Sequence, residues 1–292
     1  MDRNDGQSVL HWVERLREAG SLMGFKSSSD PVPAGFEDLW TETFCLMIQT
    51  EYQRELFKRE GHQFAGIDAT HNTTHYENTS LFTVIVRDKW GHGKSRSHSI
   101  KLYIDLSIGM PIVWMIASNA TEAMIDYFLA TLQAKNPDVI PKFLMTDFDK
   151  GQINAARCCY PESQLLLCWW HVAHAWQQHF VTAHYKNLWT ELKKWYRLTT
   201  KAEFDACWEK IQALALESII DYISQHWLPH VHLWSAMYRE GRTVFEQCDT
   251  NMLVEVYVCH FNCSPSEAHK NLQLAPFIEG YNARREAQSS NG

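Results

Sequence analysis

Two aspartates are placed where a carboxylate is costly unless it is used. Asp68 lies inside the apolar run Phe64-Ala65-Gly66-Ile67-Asp68-Ala69-Thr70, and Asp147 closes the run Lys142-Phe143-Leu144-Met145-Thr146-Asp147. A charge in a buried strand needs a partner or a cation, and ligands of α/β sheets collect at strand ends. If the two strands are neighbours, the carboxylates repel each other unless something positive sits between them. A hard divalent ion such as Mg²⁺ resolves that repulsion through oxygen ligands. Two such ions about 3.5–4 Å apart stabilise the attacking and leaving oxygens of a phosphodiester displacement. A single Asp at a strand end also fits a plain turn or N-cap, so the pair alone leaves both readings open. A third acid, Glu255, follows the capping run Asp249-Thr250-Asn251 and falls one or two turns into a helix; by itself it reads as a solvated surface residue.

The elements that must hold these residues follow from the apolar pattern. Strands are expected at 64–70, 80–87 and 111–118, a helix at 121–133, a strand at 142–147, a helix at 150–158 and a strand at 164–168. Three consecutive strands fit a hairpin meander, and the strand–helix–strand alternation that follows implies parallel pairing across crossover helices. The expected fold is therefore a mixed α/β sheet of five strands with flanking helices. Residues 1–60 read as mostly helical, with Phe44, Ile48, Tyr52 and Leu56 repeating every four residues. From about Trp170 to Phe245 only helical spacing is present, and eight of the twelve tryptophans fall between Trp169 and Trp234. The expected boundaries are 1–60 for an N-terminal helical segment, 61–172 for the first part of the core and 173–245 for a helical insertion. A last core helix is expected at 246–270 and a tail at 271–292.

Composition narrows the function class. The 292 residues are 45% hydrophobic and 21% charged, a globular mix that can bury a core. With 27 basic and 34 acidic residues the formal net charge is −7, which excludes a protein held to DNA by bulk charge alone. No apolar run approaches a membrane span, and the start Met1-Asp2-Arg3-Asn4-Asp5 has no secretory pattern, so an intracellular protein without a membrane partner is expected. Eight scattered cysteines without a CxxC pair read as reduced thiols.

Four motifs in order then resemble one family. They are Gly66-Ile67-Asp68-Ala69-Thr70-His71-Asn72-Thr73; Met145-Thr146-Asp147 followed by Ala155-Ala156 and Tyr160-Pro161; Leu167-Cys168-Trp169-Trp170-His171-Val172; and Thr250-Asn251 before Glu255. They resemble the MULE transposase domain of Mutator-like elements, over about residues 50–255. The resemblance implies a ribonuclease-H-like core with a helical insertion before the last acid. It implies that Asp68, Asp147 and Glu255 hold two Mg²⁺ ions, or Mn²⁺, while water and then a DNA 3′-hydroxyl attack phosphodiesters in line. Thr70, Cys168, His171 and Asn251 are motif residues near that site. DNA, as transposon ends, is the implied partner, with a homo-oligomer and a nuclear location as further expectations. The alternative is a domesticated, non-catalytic descendant that binds DNA or protein.

Other candidates carry two readings each. Cys168 and His171 form half of a zinc set, with His174 one turn further on, but zinc takes four ligands and no fourth is evident nearby; zinc is disfavoured against a buried thiol and a backbone-bonded histidine. Trp169, Trp170 and Trp176 suit core packing better than base stacking. Lys186, Lys193, Lys194, Arg197 and Lys201 are the densest basic stretch and read equally as a DNA-backbone contact or a solvated helix face. Two stretches depart from the family pattern. Residues 94–109 alternate as an inserted strand would, with a retained intron as the second reading, and the β-branched run after Glu255 ends in Pro265.

Overall fold

The computed structural model describes residues 5–71, 79–87 and 109–239. Glu255, Asn251, the spans 246–270 and 271–292, and residues 94–108 lie outside the described residues. In chain order the elements begin with α1 (Asp5–Glu18), β1 (Leu22–Lys26), β2 (Cys45–Ile48), α2 (Glu51–Glu60), β3 (Phe64–His71) and β4 (Ser80–Arg87). Next come β5 (Gly109–Ala117), α3 (Glu122–Lys135), β6 (Phe143–Thr146), α4 (Lys150–Cys159) and β7 (Gln164–Leu167). Four further helices of at least ten residues follow: α5 (Trp169–His179), α6 (Lys186–Trp195), α7 (Lys201–Leu214) and α8 (Glu217–His226). The strands form one mixed sheet in the order β1-β2-β5-β4-β3-β6-β7.

All five expected strands are present, but among the described residues the sheet has seven. The two additional strands correct the helical expectation for residues 1–60. Phe44 and Ile48 do not share a helix with Tyr52 and Leu56: Cys45–Ile48 is a strand buried at every position. The helix starts only at Glu51, where Thr50 and Gln53 exchange capping bonds, Gln53 N to Thr50 Oγ1 at 3.3 Å and Thr50 N to Gln53 Oε1 at 2.9 Å. A four-residue repeat running across a strand and a helix mimics one continuous helix.

The described residues divide into two compact units, one of those up to Leu144 with Lys150–Gln164, the other of Met145–Asp149 with residues 165–239. In the first, β1, β2, β5, β4 and β3 pair antiparallel in that order. Successive residues alternate faces, so Leu81 joins Val13 and Leu16 of α1, Leu46, Ile48 and Trp114 in one core cluster. Phe82 points to the other face, 6.3 Å from the ring of Phe128 in α3. Pro111, which cannot donate to a ladder, sits opposite Ile85 beside a register shift at Val84/Ile85. Gln53 and Gln49 donate to the carbonyls of Pro111 and Ile112 at 3.2 Å each, and Asn136 holds Gln49 at 3.1 Å. On the far side of β3, Lys142 N donates to His62 O and Phe143 N to Gln63 O. The numbers rise together on both sides, so β6 starts parallel to β3.

The second unit is helical apart from the ends of β6 and β7, where Cys168 N donates to Thr146 O at 2.9 Å. Its core is built on tryptophan. Trp176, fully buried, packs edge-on against Trp227 and Trp234, with centroids 5.8 and 5.9 Å away, and Trp169 stacks on Tyr196 at 3.6 Å. Trp195 and Trp234 satisfy their indole N–H groups on the carbonyls of Phe204 and Trp227. Buried Arg239 donates to the carbonyls of Trp234 and Leu167 at 2.9 and 3.4 Å. Core packing is thus the role of Trp169 and Trp176, while Trp170 is 39% exposed. Among the described residues no helix is long and apolar enough to cross a membrane.

Candidate functional site

Asp68 belongs to the first unit. It is the fifth residue of β3, only 6% exposed, in a strand built from Phe64, Ala65 and Ile67. Its direct partner across the ladder is Thr83 of β4, which in turn faces Trp114 of β5. Thr83 is buried, and among the described residues its hydroxyl has no hydrogen-bond partner. A carboxylate and an unsatisfied hydroxyl therefore share one buried patch of sheet, where each unmet polar group costs about 1–3 kcal/mol. Nothing in the sequence singles out Thr83, because register is a property of the folded sheet. Thr70, two residues on from Asp68, is half-buried opposite Leu81.

Asp147 belongs to the second unit, immediately after β6. The thiol-bearing Cys168 is the N-cap of α5, and His171 sits in that helix's first turn. The spacing of α5 turns Trp169, Val172 and Trp176 inward, which leaves His171 on a half-buried flank. There its Nδ1 lies 2.6 Å from Asp147 Oδ1, with side chains 23% and 16% exposed respectively. Burial works against a charged imidazole. Hydrogen bonds to Asp147 and Cys168 and the negative charge nearby outweigh it and raise the His171 pKa from 6.5 to about 10. The contact therefore favours the protonated imidazole of His171.

Cys168, His171 and His174, the possible zinc half-site of the sequence, each have other contacts here. His171 turns its Nδ1 to a carboxylate, and His174 stacks on Trp170 at 4.9 Å and bonds Gln178 at 3.2 Å. Sequence spacing shows that Cys168 and His171 share a helix turn; only the fold brings Asp147 to them. Lys186, Lys193, Lys194, Arg197 and Lys201 are all exposed. Lys201 pairs with Asp205 at 2.6 Å, Arg197 lies over Tyr196 and Lys193 over Trp189.

No curated protein gives a significant match to the chain. A family model does, and it covers the segment in which β5, α3, β6, α4, β7 and most of α5 fall in sequence and which carries Asp147, Cys168 and His171: residues 106–175 match the MULE transposase domain.

Proposed function

We propose that this chain is a Mutator-like transposase core that cleaves DNA phosphodiesters and transfers strands, acting on transposon ends in the nucleus as a homo-oligomer. The family match makes a transposase-related role the starting point. The observation that carries the finer reading is the Asp147–His171 contact at 2.6 Å, a strand-end carboxylate oriented by a side chain of the next helix. In this reading the core is ribonuclease-H-like, residues 61–172 form its first part, 173–245 its helical insertion, and 246–270 the helix that brings Glu255.

Asp68 and Asp147 would hold the divalent cation, with Glu255 as the third acid. Asp68, Asp147 and His171 each offer one ligand atom, and hard carboxylate oxygens suit Mg²⁺ or Mn²⁺. The unsatisfied Thr83 hydroxyl opposite Asp68 fits a site meant to be completed by a bound group. A bound ion would supply charge neutralisation at the scissile phosphate and a more acidic water. The protein's own part is positional. Asp68 is fixed by the β3–β4 ladder, His171 aims Asp147 and limits its rotation, and Cys168 steadies the His171 ring. The exposed Lys186, Lys193, Lys194, Arg197 and Lys201 would contact backbone phosphates.

The domesticated, non-catalytic reading draws on the same contact, since His171 already supplies Asp147 with a positive partner. A nicking assay on a labelled duplex with Mg²⁺ or Mn²⁺ separates the two. Metal-dependent nicking lost in Asp147→Asn and Asp68→Asn supports the enzyme. DNA binding with no metal-dependent nicking above the Asp147→Asn background supports the binding protein and overturns catalysis.

A further inference from the structure

We propose that a cavity on the first unit is a binding site for an unpaired guanine base. The cavity holds about 500 Å³ and is lined by Trp40, Glu42, His71, Ser80, Ser118 and Asn119 among others. Trp40 is 66% exposed, more than any other large hydrophobic side chain among the described residues. An indole left in water at the mouth of a cavity marks a contact surface.

The loop that carries Trp40 and Glu42 is built to be rigid. Lys26 is only 1% exposed, and its ammonium donates to the carbonyls of Thr41 at 2.6 Å and Thr43 at 3.0 Å. Thr43 in turn donates from its backbone N–H and its hydroxyl to the Trp40 carbonyl, at 3.1 and 2.7 Å. A buried charge thus pins the residues on both sides of Glu42. A platform held this way loses little entropy on binding.

The polar groups define the ligand. No lysine or arginine lines the cavity, so it does not select phosphate or carboxylate. Glu42 is exposed, and its carboxylate has no polar partner among the described residues. Asn119 uses its Oδ1 to accept from Thr121 N and Oγ1, which leaves its amide N–H groups to donate. Ser118 Oγ accepts from Phe44 N at 3.0 Å, so its hydroxyl hydrogen also remains to donate. His71 Nδ1 and Ser80 Oγ bond each other at 2.9 Å and form a closed polar wall. The site therefore offers a π-face, a two-oxygen acceptor and nearby donors. Guanine matches all three. Its N1–H and N2–H are parallel donors for one carboxylate, its O6 and N7 accept, and its ring stacks on indole. Adenine and cytosine set a ring-nitrogen lone pair against the carboxylate. An arginine guanidinium has the parallel donors but nothing to accept from Asn119 or Ser118.

The site stands whether or not the protein cuts DNA. The test is calorimetric titration of the full chain in EDTA with GMP, AMP, CMP and N-acetylarginine amide. GMP is expected to bind saturably, about tenfold or more tighter than AMP or CMP. Glu42→Gln should weaken GMP by about tenfold, and Trp40→Ala should abolish binding while Trp40→Phe keeps part of it. Both positions are exposed, and circular dichroism would confirm that the variants fold. Equal binding of GMP and AMP, no GMP binding, or a preference for N-acetylarginine amide would overturn the proposal. Loss of metal-dependent nicking leaves this result untouched.

Discussion

Replacing Lys26 with methionine removes an ammonium that the fold has buried on purpose. Lys26 Nζ lies 2.6 Å from Thr41 O, 3.0 Å from Thr43 O and 3.2 Å from Ser27 O. Methionine keeps an unbranched apolar stem of nearly the same length, so packing changes little while all three bonds are lost. The carbonyls of Thr41 and Ser27 lie at partly buried contacts and can recover water; the Thr43 bond is fully buried. An orphaned buried carbonyl costs about 1–3 kcal/mol, and charge-assisted bonds are worth about 1.5–3 kcal/mol each. Relief from burying the ammonium offsets part of this. The net loss should be about 3 kcal/mol, or roughly 6–12 °C in melting temperature at this size. Lys58→Met is the control, because its contact with Glu55 is between exposed side chains, 50% and 62% accessible, and such pairs contribute about 0–1 kcal/mol. Thermal and urea unfolding followed by circular dichroism gives both numbers. A Lys26→Met protein as stable as Lys58→Met would show that the buried ammonium does not hold the loop, and the reasoning would fail.

Three further outcomes follow from the geometry. With its folded pKa raised to about 10, His171 contributes stability that is complete below its unfolded pKa of 6.5 and fades as pH rises through 10; proton–nitrogen NMR on metal-free protein should show its resonance titrating well above 6.5, and Asp147→Asn should bring that midpoint down by more than one pH unit. A wild-type midpoint near 6.5 would contradict the contact. Trp176→Ala removes the centre of the tryptophan core and should cost about 3–5 kcal/mol in urea unfolding read by tryptophan fluorescence; a loss under 1 kcal/mol would mean the helical unit is not organised around it. Of the five described free thiols, Cys158 is exposed and should be the first alkylated by iodoacetamide at pH 8. Cys45 and Cys159 should react only on unfolding, because burial pushes both up to about 12; mass spectrometry of the labelled peptides decides this.

The strands around the site were legible because each is a short apolar run closed by a turn, and two-residue alternation reports burial directly. Leu81, Phe82, Val84 and Ile85 announce a strand buried on both faces, and the structure agrees. β1 was illegible because Leu22-Met23-Gly24-Phe25-Lys26 shows neither alternation nor continuous hydrophobicity. Its lysine is buried only because three distant or adjacent carbonyls are there to receive it. β2 was hidden by its neighbour, since Phe44 and Ile48 fall at the spacing of the helix that follows. Asp147 was legible as a strand-end carboxylate, because it directly follows the apolar run Phe143-Leu144-Met145-Thr146.

Sequence alone determined the residue chemistry and local order: which carboxylates sit on strands, that Cys168 precedes His171 by one helical turn, and that the tryptophans repeat at helical spacing. Those are short-range facts, set by backbone periodicity and by the cost of burying a charge. Tertiary structure alone decided that His171 faces Asp147, that Thr83 stands opposite Asp68, and that a buried lysine stiffens the loop of Trp40 and Glu42. Each of these depends on groups brought together from separate parts of the chain. The free energy that selects such pairings comes from the packing of whole sheets and helices, which no local window of sequence contains.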